Sequence, residues 1–421
     1  MILLIGLLFQ CAMSVNILNC FHYFLILLKN NSVAMTASSI LTDNILPFWM
    51  NRVQNPAGGF YGRIDGNGKL HPEAPRGGIL NARILWTFSA AYRVLGNPEY
   101  LQTALRARDQ ILGPFWDSDF GGTYWSLDCE GRPLDTKKQI YSIAFAIYGL
   151  SELYRASGDE LALQKAVELY QVIEEHSLDP VCGGYFEAFR RDWTPIEDMR
   201  LSDKDQNDAK TMNTHLHILE GYASLYRVWK DKELESSLRK LIEIFLDRIV
   251  LPDGHLALFF DTDWNCTSHV VSYGHDIECS WLLAEAAEVL GDESLSERVN
   301  EVCSRMAEAA VQGWTPLGGM VYEKDLRDGK VDADRHWWVQ AENVVGCVWQ
   351  WKRSGKTKWL DCARTQLRYI EDNLLAPDGE WYWSRRADGS INTEDDRAGF
   401  WKCPYHNGRM CMELMDKYPK L

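Results

Sequence analysis

Apolar residues recur at helical spacing along most of the chain, and a turn interrupts them at a regular interval. Ile84, Leu85, Phe88, Ala91, Tyr92 and Leu95 share one face of a helix. Leu161, Ala166, Val167, Leu169 and Tyr170 begin another, entered after Gly158-Asp159. Between such stretches a Gly- and aromatic-rich turn appears six times. It reads AGGFYGRIDGNGK at 57–69, FGGTYWSLDCEGR at 120–132, CGGYFEAFRRDW at 182–193, DGHLALFFDTDW at 253–264, LGGMVYEKDLRDGK at 317–330 and DGEWYWSRRADG at 378–389. Its markers Gly59, Gly122, Gly184, Gly254, Gly319 and Gly379 lie 63, 62, 70, 65 and 60 residues apart. A period of roughly 64 residues holds two helices and a hairpin-like loop.

The pattern predicts twelve helices, over 37–54, 77–96, 98–113, 137–157, 159–177, 209–230, 232–249, 273–291, 293–312, 336–354, 356–373 and 403–418. Short breaks such as Gly96-Asn97-Pro98 and Gly291-Asp292 join the second helix of one pair to the first of the next. Six pairs can close into six inner and six outer helices, the last packing beside the first. An open array needs polar capping repeats, and none is evident. The expected fold is therefore all-α: an (α/α)6 barrel, one catalytic domain over 35–421, with the Gly/aromatic loops gathered at one mouth.

Residues 1–34 are set apart. The first 28 are strongly apolar, carry no charge before Lys29 and are broken by Gln10, Asn16, Asn19 and His22. A signal peptide opens on a basic segment and a membrane anchor has basic flanks. The preferred account is an over-extended start, with the working protein beginning near Met35 in the cytoplasm. Export through a genuine signal is the alternative. Stable membrane association is not expected. The 11 cysteines are scattered with no C-x-x-C, which suits free thiols in a reducing compartment. The net charge of −15 argues against a nucleic-acid partner. The 17 Trp and 18 Tyr suit either core packing or stacking on sugar rings.

The even-numbered helices each follow a long loop, so their first turns should face the mouth. Unusual polar residues fall there. Arg83 lies in the second helix. Tyr141 and Phe145 share a face of the fourth, and Asn213, His217 and Gly221 form a stripe on the sixth that reads as facing the lumen. His275 and Glu278 open the eighth, Trp338 and Glu342 lie on the tenth, and Trp401 and His406 lead into the twelfth. Trp337 adjoins Trp338. His215, two residues from His217, points elsewhere and reads as structural. His71, His255, His269 and His336 read as loop or helix-edge residues.

Three histidines and a carboxylate could bind a metal, but no tight two-ligand motif appears. Two imidazoles can instead serve as base and acid, with Glu278 fixing a tautomer and Arg83 stabilising an oxyanion. That set would suffice to invert a carbon beside a carbonyl, such as C2 of an open-chain sugar. Glycoside hydrolysis needs two opposed carboxylates, for which Glu278, Glu342 and Asp205 are available, but it leaves the histidines without a role.

The stretches GGILNARILWTFSAAYR, KKQIYSIAFAIYGL, NTHLHILEGYASLYR, SYGHDIECSWLLAEAA, WWVQAENVVG and WKCPYHNGR resemble the N-acylglucosamine 2-epimerase superfamily, and within it the cellobiose 2-epimerases. The likeness spans about Met35 to Tyr418. It implies epimerisation at C2 of the reducing-end glucose of a β-1,4-linked disaccharide, without metal, nucleotide or other cofactor. It implies that His275 and His406 are the acid–base pair. His217 and Arg83 would hold and polarise C1–C2, and Glu278 would support His275. Tyr141, Asn213, Trp338 and Trp401 would line the sugar sites, with Asp205 of the LSDKDQNDAK loop contributing. Phe145 and Trp337 complete the expected substrate-binding set. Ser142 and Ile143 sit between two ligand-type positions. The expected partner is a small-molecule disaccharide, the expected state a monomer or weak homodimer. A monosaccharide 2-epimerase or mannose isomerase, a metal-dependent hydrolase or lyase, and a non-catalytic sugar-binding barrel are the other readings.

Overall fold

A computed structural model describes residues 33–316 and 318–420. The expected apolar leader lies outside the described residues except Val33 and Ala34. Both are buried in the first helix.

Twelve helices run through the described residues. We number them α1 (33–53), α2 (Gly78–Leu95), α3 (Pro98–Leu112), α4 (Ile140–Ser157), α5 (Glu160–His176) and α6 (Met212–Val228). Then come α7 (232–249), α8 (Tyr273–Leu290), α9 (Glu293–Ala310), α10 (Trp337–Ser354), α11 (Thr357–Asn373) and α12 (Tyr405–Lys417). The even helices form the inner ring, each packed against the next, and α12 closes it against α10, α2 and α1.

Burial separates the two rings. In α2 every residue from Gly78 to Ala91 is buried, and in α4 every residue from Ile140 to Leu153. A helix covered on all sides buries its whole circumference. Outer α3 buries only the stripe Thr103, Ala104, Ala107 and Ile111. Helix ends are written locally. Gly96, Gly158, Gly291 and Gly355 end inner helices in the left-handed conformation. Asn97, Asp159, Asp231 and Asp292 cap the outer helices, their side chains accepting from first-turn N–H groups.

Adjacent repeats are tied at the mouth by short antiparallel pairings. Residues 76–77 pair with 126–127, 138–139 with 188–189, 210–211 with 259–260, 270–272 with 323–325, and 335–336 with 384–385. A bridge between Ile64 and Ala398 closes the circle, with Ile64 N–H donating to Ala398 O at 2.7 Å. These pairings correct the predicted starts of several inner helices. Residues 138–139 and 210–211, expected to be helical, hydrogen-bond across to the neighbouring repeat. Thus α4 starts at Ile140 and α6 at Met212.

Two glycines show how the sequence permits this packing. Gly184, at φ +77°, turns a hairpin where a Cβ would strike the Trp264 ring and His215 Nε2. A Cβ on Gly221 would come 2.8 Å from Ala144 O. Gly221 therefore marks the close approach of α6 to α4, which corrects its expected place on a lumen-facing stripe. Ser142 and Ile143 are buried in α4 packing.

Candidate active site

The N-terminal turns of the inner helices deliver polar side chains to one end of the barrel. Arg83 of α2 donates from Nη2 to the Tyr141 hydroxyl of α4 at 2.8 Å and from Nη1 to Cys403 Sγ at 3.7 Å. Its guanidinium lies 4.2 Å from the Phe145 ring centre and 5.1 Å from that of Tyr405. Burial opposes the Arg83 charge, but Tyr141, Cys403 and Tyr405 outweigh it and hold its pKa above the ordinary value. Burial also raises the Tyr141 pKa, so that hydroxyl keeps its proton.

His217 of α6 packs against Phe145 and Tyr141, with ring centres 4.5 and 5.0 Å apart. Its Nδ1 is 2.9 Å from Glu220 Oε2, three residues along the same helix. On α12, His406 Nδ1 is 2.7 Å from Glu342 Oε1 of α10 and 3.7 Å from Glu278 Oε1 of α8. Arg409 of α12 reaches all three carboxylates. Its Nη2 donates to Glu278 Oε1 at 2.8 Å and to Glu342 Oε1 at 2.6 Å, and its Nη1 donates to Glu220 and to the Tyr405 hydroxyl. Trp281 Nε1 donates to the other Glu342 oxygen at 3.0 Å.

Trp338 is in ring contact with both expected bases. Its ring centre is 4.8 Å from His275 and 5.6 Å from His406. His275, at the start of α8, pairs through Nδ1 with Ser272 Oγ at 2.8 Å. That position corrects the expected Glu278–His275 support. Glu278 is held by Arg409 near His406, while Ser272 orients His275. Arg409 of α12 gives Glu278 a charged partner, and Ser272 of the preceding strand meets His275.

Burial sets the protonation states. It presses His275 down to about 3, with His217 acting in the same direction. Burial, then Arg83 and Arg409, lowers His406 well below its ordinary value, and burial lowers His217. Both imidazoles of the expected pair are thus neutral at pH 7. With the His406 Nδ1–H donated to Glu342, Nε2 carries the basic lone pair. Burial and Glu342 push Glu278 well above the carboxylate range, whereas Arg409 holds Glu220 below it against burial.

Glu278, Glu342 and His406 offer ligand atoms within 4.8 Å of one another, a possible metal cluster. The Arg409 guanidinium already supplies the cation between those carboxylates.

The remaining expected residues divide. Asn213, Asp205 and His275 line one cavity of about 300 Å³ at the mouth, floored by Glu187, Met212 and Ser272. The Asp205 carboxylate accepts from Ser202 N–H at 2.9 Å and its hydroxyl at 2.8 Å, stiffening the loop. Trp401 lies 6.3 Å from Tyr141 and 5.9 Å from Trp125, and with Trp125 and Phe400 it lines a second mouth cavity of about 340 Å³. Trp337 and Phe145 depart from the expected role as sugar-binding surfaces. Trp337 is 2% exposed, with Lys402 Nζ 4.0 Å over its ring and His406 at its edge. Phe145 is fully covered by Arg83, His217 and Tyr405. Both support catalytic-type side chains from behind. His215 accepts Tyr185 N–H at 2.9 Å, the structural part expected of it. His255, 2.7 Å from Asp276, does likewise.

Glu220, Tyr405, Arg409 and Ser272 were missed as site residues by sequence reasoning, and Glu342, weighed there only as a carboxylate for hydrolysis, pairs with His406 instead. Two had a usable signal. Glu220 and Arg409 lie three residues beyond His217 and His406, on the same helical faces.

Known proteins resemble the chain over nearly its whole length. The chain is 57% identical over 381 residues to a cellobiose 2-epimerase of Bacteroides fragilis, covering 89% of this chain and 96% of that one. It is 40% identical over 380 residues to a cellobiose 2-epimerase of Ruminococcus albus, covering 90% and 97%. The solved cellobiose 2-epimerase of Bacillus thermoamylovorans B4167 superposes with TM-score 0.87 at 36% identity, over 92% of this chain and 100% of that one. The sequence profile described as N-acylglucosamine 2-epimerase matches residues 59–408, from the first Gly-aromatic turn to the helix that carries His406 and Arg409. With that turn, the ring of inner helices and the histidine-bearing end all inside the match, the chain belongs to the N-acylglucosamine 2-epimerase family.

Proposed function

We propose that this carbohydrate epimerase inverts C2 of the reducing-end glucose of a β-1,4-linked disaccharide such as cellobiose, giving glucosyl-mannose. The observation that carries the reading is the pair of imidazoles, His275 and His406, both in ring contact with Trp338.

The ring-opened sugar presents an aldehyde at C1 beside the C2 proton. One imidazole takes that proton through Nε2, and the C2–H electron pair moves into the C1–C2 bond. The C1–O π pair then moves to O1, giving a cis-enediolate. Arg83, charged and braced by Tyr141, stabilises the growing charge on O1. The second imidazole, made imidazolium by a solvent proton taken up at Nε2, gives that proton to C2 from the opposite face as the C1 carbonyl re-forms, and so ends neutral while the first ends protonated. Atoms and charge balance, and the bases exchange roles for the reverse reaction. Trp338 and Trp401 offer stacking faces for two sugar rings.

The relatives named cellobiose 2-epimerase support the disaccharide over a monosaccharide. Nine free cysteines among the described residues support a reducing compartment. No helix among the described residues is long and apolar enough to cross a membrane. We place the enzyme in the cytoplasm as a monomer or weak homodimer; N-terminal sequencing and light scattering test both points.

Incubation with cellobiose in the presence of chelator tests the substrate, with NMR of the reducing-end signals. A new mannose-type reducing end is expected. An unchanged disaccharide alongside turnover of free mannose or N-acetylmannosamine contradicts it.

A further inference from the structure

We propose that Arg409 is a positioning residue for this epimerisation: one buried guanidinium that fixes the carboxylates behind both His217 and His406. The inference rests on the epimerase reading of the site. It adds a residue that touches neither proposed base.

The geometry is a continuous chain across the barrel floor. His217 Nδ1 meets Glu220, Glu220 meets Arg409, Arg409 meets Glu342, and Glu342 meets His406 Nδ1. Arg409 also holds Glu278. Its ring neighbours confine it, with the guanidinium 4.6 Å from Trp281 and 4.2 Å from Tyr405. Arg409, Glu220, Glu278 and Glu342 are all nearly inaccessible to solvent. Water therefore cannot take over the role of the guanidinium in orienting these acids.

A fork of planar donors is suited to this task. Guanidinium can serve two carboxylates from one edge and a third from the other, whereas an ammonium is a point donor on a flexible stem. Each carboxylate so held accepts the Nδ1–H of its histidine. That bond selects the Nδ1–H tautomer and aims Nε2 at the substrate. Arg409 thus ties the orientations of two rings from different helices, α6 and α12, to one side chain.

The test uses the full-length enzyme with [15N]histidine and the variant R409K. In the wild type at pH 7.5, the ring-nitrogen shifts of His217 and His406 are expected to report the Nδ1–H tautomer. In R409K the melting profile should stay close to wild type and KM for cellobiose within threefold. The kcat should fall about 100-fold through misaimed rings, with at least one histidine passing to a tautomer mixture. A purely structural role would move the melting profile without the tautomer change or the split between kcat and KM. Two results overturn the proposal: an Nε2–H tautomer on either ring in the wild type, or an R409K enzyme with kcat within threefold of wild type. The first needs no variant, so a poorly folding R409K leaves the proposal exposed to refutation. Failure of the epimerase reading is separately visible as absent C2 exchange on cellobiose by the wild type, whatever the tautomers.

Discussion

His406 Nδ1 and Glu342 Oε1 lie 2.7 Å apart, joining α12 to α10 beside the bond that Arg409 donates to the same oxygen. Burial and the nearby arginines keep the imidazole neutral, so its Nδ1–H is the donor. A base with a lowered pKa stays unprotonated to lower pH. Activity that requires it is lost only as pH falls through that lowered value. The acid limb of kcat/KM should therefore have its midpoint below about 6.5, the value of a free imidazole. Glu342→Gln should lower kcat about 10- to 100-fold by freeing the ring to turn. Steady-state pH profiles of the wild type and variant check both.

In the proposed mechanism Arg83 meets the developing charge, and its Nη2 donates to the Tyr141 hydroxyl at 2.8 Å. Arg83→Gln should lower kcat by about 100- to 1000-fold, as loss of an oxyanion donor does. Tyr141→Phe leaves the guanidinium in place with one partner fewer and should cost about 10-fold. Comparing kcat with KM in the two variants separates stabilisation of the enediolate from sugar binding.

Stability at the mouth depends on a buried ion cluster. Lys138 Nζ donates to Asp117 at 2.7 Å with both side chains fully buried, and Arg191 donates to the same carboxylate from a partly exposed position. Asp117→Asn would leave the Lys138 charge without its counter-ion. The expected loss is about 3 kcal/mol, the lower end for a broken buried pair, because Arg191 is solvent-screened. Burial opposes ionisation of Asp117, but Arg191 and Lys138 overcome it and hold the pKa below the carboxylate range. The contribution is thus present above the unfolded value, near 3.9, and is lost as pH falls below about 4 toward the folded value. Calorimetric melts of wild type and variant at pH 7 and pH 3.5 should differ by less at the lower pH.

Much of the architecture is readable from residue order because its determinants are local. The six Gly-aromatic turns, the Gly-Asp and Gly-Asn junctions, and the contrast between apolar and striped helices each act within a few residues. Even the structural part of His215 follows from its two-residue offset from His217. What stays hidden is contact between distant repeats. Glu278 is three residues from His275, yet its partner is Arg409, 131 positions away. Trp337 and Trp338 are sequence neighbours, but a helix turns them about 100° apart. One is sealed under Lys402 and the other is in ring contact with two histidines.

Arg409 also bears on metal dependence. Because its guanidinium sits between Glu278 and Glu342, a cation there would have to displace it. Dialysis against EDTA should leave turnover of cellobiose unchanged, and added Mn²⁺ or Zn²⁺ should not raise it. Activity lost to chelator and restored by metal would show that the guanidinium does not hold that position in the working enzyme.

The two-base claim is tested most directly by the fate of the C2 proton. Wild type, His275→Ala and His406→Ala would each be incubated with cellobiose in D2O and followed by NMR. The account predicts deuterium at C2 together with glucosyl-mannose in the wild type, and no epimerised product from either variant. Epimerisation near the wild-type rate in either variant, or epimerised product without deuterium at C2 in the wild type, would contradict it.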